Sequence, residues 1–109
     1  MKNQGDQDLD KRTIKSFLDI LILKHLKKHP LISGYEILKH LHEEFDIPFS
    51  PGTIYHAVYL LERRTLVKGD GDELGRNYCL TIEGEKMLDS AYKSKPQIQE
   101  LVSSILSEA

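Results

Sequence analysis

The heptapeptide SPGTIYH, residues 50–56, combines small, hydroxyl-bearing and aromatic side chains where a helix is predicted to begin. Ser50 is a strong N-cap residue, and Pro51 suits the first helical position because its missing N–H costs nothing there. A helix N-terminus offers unpaired N–H groups and a partial positive charge, both of which suit a phosphate. The side chains that would then reach phosphates or base edges are Thr53, Tyr55 and His56. This chemistry fits nucleic-acid recognition, and it fits equally well a helix cap that binds nothing.

Four histidines form two pairs whose residue type suits a metal ion. His25 and His29 are four residues apart on a predicted helix, a spacing that can bind zinc, and His40 and His42 lie on the next helix. A zinc site needs three or four convergent ligands, usually with Cys or Glu among them. Spacing alone does not show that these residues converge, so we predict no metal site and no cofactor.

Catalytic patterns are absent from the sequence. It contains no G-x-S-x-G, H-E-x-x-H, P-loop or Rossmann glycine pattern, so we predict that the protein is not an enzyme. The single cysteine, Cys79, cannot form an internal disulfide, and its neighbours are not basic, so we predict no reactive thiolate. Cysteine usage and the lack of a long apolar run lead us to expect a cytoplasmic protein without a membrane partner.

Size and composition indicate one globular domain: the chain has 109 residues, of which 39% are hydrophobic and 29% charged. The net charge of −2 neither favours nor excludes DNA, because a protein can bind phosphates through one basic face. Residues 11–30 carry six basic side chains and one acidic side chain, a net charge of +5. This stretch is more typical of a solvated face than of a phosphate site.

Three helices are predicted in the first part of the chain. The first, over 11–28, is apolar around most of its girth, which indicates a central helix or one shared with a second subunit. The second begins at Ser33, which forms a capping-box pattern with Glu36, and ends before Pro48. The third covers about 50–64. Its core-facing residues, at i, i+3, i+4 and i+7, are Ile54, Ala57, Val58 and Leu61.

A β-hairpin and a last helix follow. Residues 66–68 and 76–80 are predicted strands joined by a Gly- and Asp-rich turn. Thr81 would cap the last helix, which we expect to kink near Pro96. Three helices, a hairpin and a helix make a winged helix-turn-helix, a mainly α fold with a small β-hairpin. In this arrangement the third helix enters the major groove of DNA with its N-terminus first.

Three sequence blocks, GYEI (34–37), SPGTIY (50–55) and YCLTIEG (78–84), resemble the PadR family of winged-helix transcriptional regulators. The family pattern has G-Y-[ED]-[LI], S-x-G-T-[LI]-Y and Y-x-[LI]-T-x-x-G in this order, and the resemblance covers about residues 14–92. It implies a homodimer that represses transcription by binding a palindromic operator. In some members a small aromatic or drug-like ligand releases the DNA. The residues that match the DNA-contacting motif are Ser50, Gly52, Thr53, Tyr55 and Arg76.

The chain departs from the family pattern at Thr65, where the family usually has Gly, and in its wing. The usual basic run before the wing tyrosine is only Gly75-Arg76-Asn77, and the wing tip carries Asp70, Asp72 and Glu73. Phosphates repel an acidic loop, so we expect the wing to contribute less to DNA binding than the third helix.

We therefore predict a flexible N-terminus (1–10), a winged helix-turn-helix domain (11–81) and a C-terminal dimerisation helix (82–109). The predicted DNA-binding residues are Lys39, Ser50, Gly52, Thr53, Tyr55, His56, Arg63, Arg76 and Asn77. The predicted dimer contacts are Phe17, Leu21, Leu88, Tyr92, Ile98, Leu101, Val102 and Ile105. The expected partners are double-stranded DNA, a second copy of the chain, and a small hydrophobic or aromatic effector in a cavity between the last helix and the partner's first helix.

Two other functions fit the same fold. The acidic wing and the negative net charge would suit a winged-helix module that binds protein without specific DNA binding. That alternative gains if the predicted DNA-binding residues do not share one face. The second is a ligand-responsive sensor of the MarR or metal-sensing kind, and the lack of an evident Cys or His/Asp ligand set disfavours the metal-sensing version.

Overall fold

The computed structural model describes residues 4–46, 48–72 and 75–108, which form a mostly helical fold with one small sheet. In chain order, the elements are α1 (Gln4–Ser16), α2 (Leu18–Lys28), β1 (Ile32–Ser33), α3 (Gly34–Phe45), α4 (Pro51–Arg63), β2 (Val67–Asp70), β3 (Asn77–Leu80), α5 (Ile82–Lys93) and α6 (Lys95–Ile105). The predicted winged helix-turn-helix is confirmed: α3 and α4 are the helix pair, and β2 and β3 are the wing.

The single helix predicted over 11–28 is wrong, because two helices meet at Phe17. Phe17 has φ −109° and ψ 17°, which lie in the sparsely populated bridge region between helix and strand. α1 begins at Gln4, inside the segment that we expected to be flexible. Four residues of α2 are buried, which explains why this helix is apolar on most sides. They are Leu18, Ile22, Leu23 and Leu26.

Both helices of the helix-turn-helix begin at the caps that the sequence predicts. Ser33 Oγ accepts a hydrogen bond from the N–H of Glu36 at 3.1 Å, and Ser50 Oγ accepts one from the N–H of Thr53 at 3.2 Å. Each bond satisfies an N–H group that has no partner within its helix, and losing such a cap costs about 1 kcal/mol. These caps fix where α3 and α4 start, and therefore which residues stand at the exposed end of α4.

The predicted hairpin is confirmed, and it carries a third strand that the sequence did not reveal. β3 lies in the centre of an antiparallel sheet with the order β1-β3-β2. Val67 pairs with Leu80 on one side, and Ile32 pairs with Tyr78 on the other. β1 has two residues, too few for alternation to indicate a strand. The wing-tip residues 73 and 74 lie outside the described part of the chain.

The hydrophobic core lies between α2, α3, α4 and the sheet, and α5 closes it. Its fully enclosed residues include Ile22, Leu23, Ile37, Leu41, Ile54, Leu61 and Leu88. Thr81 caps α5 as predicted, with Oγ1 accepting from the N–H of Gly84 at 3.0 Å. Gly84 packs against the carbonyl of Leu66, where a Cβ would have no room. This close approach places the first turn of α5 against the base of the wing, where β2 begins and β3 ends.

α6 extends away from this core. It follows α5 after a break at Ser94, beside Pro96, and none of its residues is buried. The Cα radius of gyration is 15.3 Å, whereas a compact domain of this length has about 13 Å. Within the described residues, no helix is both long and apolar enough to cross a membrane.

Candidate nucleic-acid interface

The first turn of α4 places the backbone N–H of Gly52 beside two hydroxyls. Ser50 Oγ lies 2.8 Å from Thr53 Oγ1, so the cap and the first turn share one hydrogen-bonded pair. Gly52 stands between them and is exposed; a Cβ built on it would meet no atom within 4 Å. An anion can therefore approach the backbone at Gly52, at the end of the helix where the dipole favours negative charge.

Tyr55 of α4 packs against Gly34, the first residue of α3. Its ring lies against Gly34, so closely that a Cβ on Gly34 would be 2.9 Å from Tyr55 Cδ1 and nearer still to Cε1. Gly34 itself is buried, whereas 45% of Tyr55 is exposed. The ring is therefore packed on part of its surface and open to solvent on the rest, and its position depends on the missing side chain at residue 34.

A histidine that the sequence analysis did not assign to this surface anchors the start of α4. The N–H of Phe49 donates to His42 Nε2 at 2.8 Å, and the Phe49 side chain is buried in the core. This bond ties the residue before the Ser50 cap to α3. A pairing seven residues apart across a turn has no sequence signature, which is why sequence reasoning missed it.

The outer face of α4 continues as a row of three side chains. The His56 and Tyr59 rings have centroids 6.5 Å apart, and the Arg63 guanidinium carbon lies 5.9 Å from the Tyr59 centroid. A cation over an aromatic face is held in place with its charge intact. His56 and Arg63 are predicted DNA-binding residues, and Tyr59, 53% exposed, is the residue that links them.

Arg76, the predicted wing contact, has intramolecular partners. It forms an ion pair with Glu62 of α4, donates to the carbonyl of Gly71 at 3.2 Å, and lies 5.8 Å from the Tyr78 ring centroid. The hydrogen bond with Glu62 raises the pKa of Arg76 above its ordinary value. A Cβ on Gly69 would collide with the guanidinium, so this glycine makes the arrangement possible. A phosphate would have to compete with Glu62 for Arg76.

The remaining predicted DNA-binding residues occupy two different settings. Lys39 is exposed on α3, whereas Asn77 is partly buried in the central strand, where it pairs with Asp70 and Ser33. One surface depression is lined by Tyr59, Glu62, Arg63, Arg76 and Tyr78. The two predicted arginines therefore lie on one side of the domain, where the end of α4 meets the wing.

A groove of about 810 Å³ lies where the α1–α2 junction, α5 and α6 meet, and it contains several predicted dimer contacts. Those that line it are Phe17, Leu21, Tyr92 and Ile98. Further along α6, the exposed predicted contacts are Leu101, Val102 and Ile105. Leu88 is a correction: it has no exposed surface and fills the core of the monomer, so it cannot touch a second chain.

Three histidines come together between α2 and α3. One ring nitrogen from each of His25, His29 and His40 lies within 4.8 Å of the others. His25 Nε2 is 3.2 Å from Glu44 Oε2. Burial lowers the pKa of His25; the Glu44 carboxylate opposes this, and the charges of His40 and His29 add to it. The packing of α3 on α2 creates this cluster, which spacing along the sequence did not reveal.

Comparison with known proteins gives a consistent result. Residues 22–90 match the transcriptional regulator PadR-like family. A PadR family transcription regulator from Clostridium difficile is 30% identical, with 84% of this chain and 99% of that chain covered and a TM-score of 0.68. A transcriptional regulator from Clostridium thermocellum is 25% identical, with 88% and 96% covered and a TM-score of 0.73.

A more distant match concerns the fold alone. F93 from STIV, a winged-helix DNA-binding protein, is 20% identical, with 82% of this chain and 90% of that chain covered and a TM-score of 0.57. A search of curated protein sequences found no match.

Proposed function

The chain belongs to the PadR-like family of transcriptional regulators, and we propose that it is a homodimeric repressor that binds a palindromic DNA operator through α4. The observation that carries the proposal is the exposed first turn of α4. Its backbone is uncovered at Gly52 and flanked by the hydroxyls of Ser50 and Thr53. In a helix-turn-helix, this end of the second helix faces the major groove.

The proposed contacts divide into two kinds. The N–H of Gly52, together with Lys39 and Arg63, would bind phosphates and orient the domain on the duplex. Thr53, Tyr55 and His56, further along the exposed face of α4, would meet base edges and supply sequence preference. This division predicts that changes in the second group alter specificity more than salt dependence.

Dimerisation is supported by the apolar surface that one chain leaves uncovered. Leu101 and Ile105 of α6 are 60% and 69% exposed, and the groove beside Phe17 and Tyr92 adds apolar surface at the base of the same helix. Large exposed apolar patches mark interaction sites, and a two-fold dimer would cover both copies of the patch at once. Such a dimer would place two α4 helices about 34 Å apart, one turn of DNA.

An effector site would adjoin the dimer interface. The groove has a volume within the range of about 300–1,000 Å³ that is typical of small-molecule sites, and side chains such as Ile20, Leu21 and Met87 line it. The part of the groove that the partner helix leaves open would take a small hydrophobic or aromatic effector. Its position between the two chains would let it change the spacing of the α4 helices.

The test is binding of the purified chain to a labelled duplex that carries the DNA upstream of its own gene. Fluorescence anisotropy is recorded across a salt series, with a random duplex as competitor. We expect tight binding to the upstream duplex that weakens steeply with salt, because phosphate contacts release counterions. Thr53→Ala should weaken specific binding by about tenfold, the loss typical of one base contact.

Thr13→Ala is the matched control, because Thr13 is an exposed threonine on α1 with a hydrogen bond to its own helix. It should bind DNA like the unmodified chain. Equal weak binding to the upstream and random duplexes, unchanged by Thr53→Ala, would contradict the proposal. Such a result would favour the alternative of a winged-helix module that binds protein, with which the acidic wing is compatible.

A further inference from the structure

The cluster of His25, His29 and His40 contributes nothing to the proposed DNA contacts. His25 lies in the last turn of α2, His29 is the C-cap residue of the same helix, and His40 lies on α3. The ring centroids of His29 and His40 are 4.9 Å apart, and those of His25 and His40 are 5.5 Å apart. All three side chains are partly buried, so they are neither sealed in the core nor fully solvated.

The surroundings of His25 occupy one of its ring nitrogens and leave the other available for a ligand. Glu44 Oε2 lies 3.2 Å from Nε2, where it can accept the Nε2–H of a neutral imidazole. That tautomer leaves a lone pair on Nδ1. Among the described residues, this Nδ1 is the one buried side-chain nitrogen or oxygen without a hydrogen-bond partner. Buried polar atoms are rarely left unsatisfied, so an unpaired acceptor here calls for a partner.

We propose that His25, His29 and His40 form a binding site for one transition-metal ion of the Zn²⁺ class. Zinc sites with three protein ligands and one open position are an established arrangement, and imidazole nitrogen is a preferred ligand. Tetrahedral geometry with Zn–N bonds of about 2.1 Å places ligand nitrogens about 3.4 Å apart. The nitrogens here lie within 4.8 Å of one another, so any two of them must approach by at most about 1.4 Å to close the site.

With Nδ1 as the ligating atom of His25, Glu44 would hold the other ring nitrogen, Nε2. A carboxylate that holds the remote N–H of a ligating histidine fixes its tautomer and increases its basicity. Glu44 and His40 are four residues apart on α3, so one face of this helix supplies both a ligand and the group that orients another ligand. Four side chains on two helices therefore act together.

Two lysines near the cluster disfavour cations that bind imidazole weakly. Lys24 and Lys28 line the same small depression as His25 and Glu44, and they would repel a cation. Mg²⁺ and Ca²⁺ need several oxygen ligands, which the three imidazoles do not provide. Zn²⁺, Cu²⁺ and Ni²⁺ bind imidazole strongly enough to bind beside positive charge, so the site selects for them.

A metal ion here would join the end of α2 to α3, the first helix of the helix-turn-helix. Because the ion would bind the folded chain and find no preformed site in the unfolded chain, it would stabilise the native state. This inference does not depend on the proposed operator binding, since the experiment below contains no DNA.

The test uses the full chain without a polyhistidine tag, treated with a chelator and then titrated with ZnCl₂ by calorimetry at neutral pH. We expect one Zn²⁺ per chain and a higher melting temperature with the metal. Binding of Co²⁺ in place of Zn²⁺ should produce the visible absorption bands of a low-symmetry site. His29→Ala and His40→Ala should each lower the affinity by more than tenfold, and Glu44→Gln by about tenfold.

His56→Ala is the matched control, because His56 is an exposed histidine on α4 outside the cluster. It should bind Zn²⁺ like the unmodified chain. Circular dichroism verifies that the His29 and His40 variants keep their helices, and both positions are only partly buried. Binding below one equivalent, or equal affinity in the His40→Ala and His56→Ala variants, would overturn the proposal.

Discussion

Gly34, the first residue of α3, lies directly beneath the ring of Tyr55 on α4, and a Cβ at residue 34 would intrude on that ring. The two residues are 21 positions apart in the chain, and their contact links the sequence blocks GYEI and SPGTIY. It explains why a glycine stands at the first position of a helix whose cap, Ser33, needs no glycine. The small residue is required by the neighbouring helix and not by its own.

The first prediction concerns this contact. Gly34→Ala should move the Tyr55 ring and lower the free energy of unfolding by about 1–3 kcal/mol, the range for overpacking. It should also weaken operator binding, because Tyr55 is a proposed base contact. Chemical denaturation and DNA anisotropy measure the two effects. In the double variant with Tyr55→Ala, most of the stability loss from Gly34→Ala should disappear, since the colliding ring is gone.

Gly52→Ala is the control for the first prediction. It replaces a glycine on the same surface where a Cβ meets no atom, so it should not lower stability. DNA affinity should still fall, because the new methyl group covers the exposed backbone. Equal stability loss in both glycine variants would contradict the packing argument.

The second prediction concerns Thr65, which has φ +60° in the turn between α4 and β2. The left-handed conformation costs an L-residue about 1–2 kcal/mol, whereas glycine adopts it freely. Glycine also loses more chain entropy on folding, so Thr65→Gly should raise the free energy of unfolding by about 0.5–1 kcal/mol. The midpoint of urea unfolding, at an unchanged m-value, measures this gain.

Thr65→Ala distinguishes backbone strain from side-chain effects. It removes the hydroxyl, which donates to the carbonyl of Arg64 at 2.6 Å, but keeps a Cβ in the left-handed conformation. We expect no gain in stability from it. A similar increase in both variants would show that the hydroxyl and not the backbone angle is responsible.

The third prediction concerns the ion pair between Glu62 and Arg76. Glu62→Ala removes a negative charge from the side of the domain that carries Arg63, and it frees Arg76 for a phosphate. Operator affinity should increase, and the slope of log affinity against log salt should steepen by about 1, the value for one added phosphate contact. Anisotropy titrations at several salt concentrations measure both quantities.

Glu43→Ala provides the comparison for charge alone, because Glu43 is an exposed carboxylate on α3. Glu43→Ala should raise operator affinity less than Glu62→Ala does, and it should leave the slope of log affinity against log salt nearly unchanged. If Glu62→Ala behaves like Glu43→Ala, the wing does not reach the DNA backbone.

The fourth prediction concerns the exposed face of α6. Leu101→Glu places a charge at the centre of the proposed dimer interface and should yield a monomer in sedimentation or light-scattering measurements. Operator affinity should fall when the dimer is lost, because a monomer binds only one half-site. The fold should persist, since Leu101 is 60% exposed in the single chain.

Leu31→Glu is the control for this prediction, because Leu31 is also 60% exposed but lies between α2 and β1, away from α6. It should leave the oligomeric state unchanged. A monomer in the unmodified chain, or an unchanged dimer in Leu101→Glu, would show that α6 is not the interface.

The sequence by itself determined those elements whose signals are local. The caps at Ser33, Ser50 and Thr81 each depend on a hydrogen bond to a residue three positions away, so a short segment contains all the information. The periodic apolar residues of α4 likewise indicated its buried face. Local signals failed at Phe17, where the chain breaks between two helices without a Gly or Pro, and at β1, which has only two residues.

The tertiary structure alone decided the contacts that join distant parts of the chain. Leu88 has the same apolar character as the exposed residues of α6, and only packing places it in the core. Arg76 reads as a free wing cation until Glu62 is found beside it, and His40 meets His25 and His29 only because α3 packs on α2. Pattern and propensity act over a few residues, whereas burial and charge pairing depend on which surfaces meet when the helices pack.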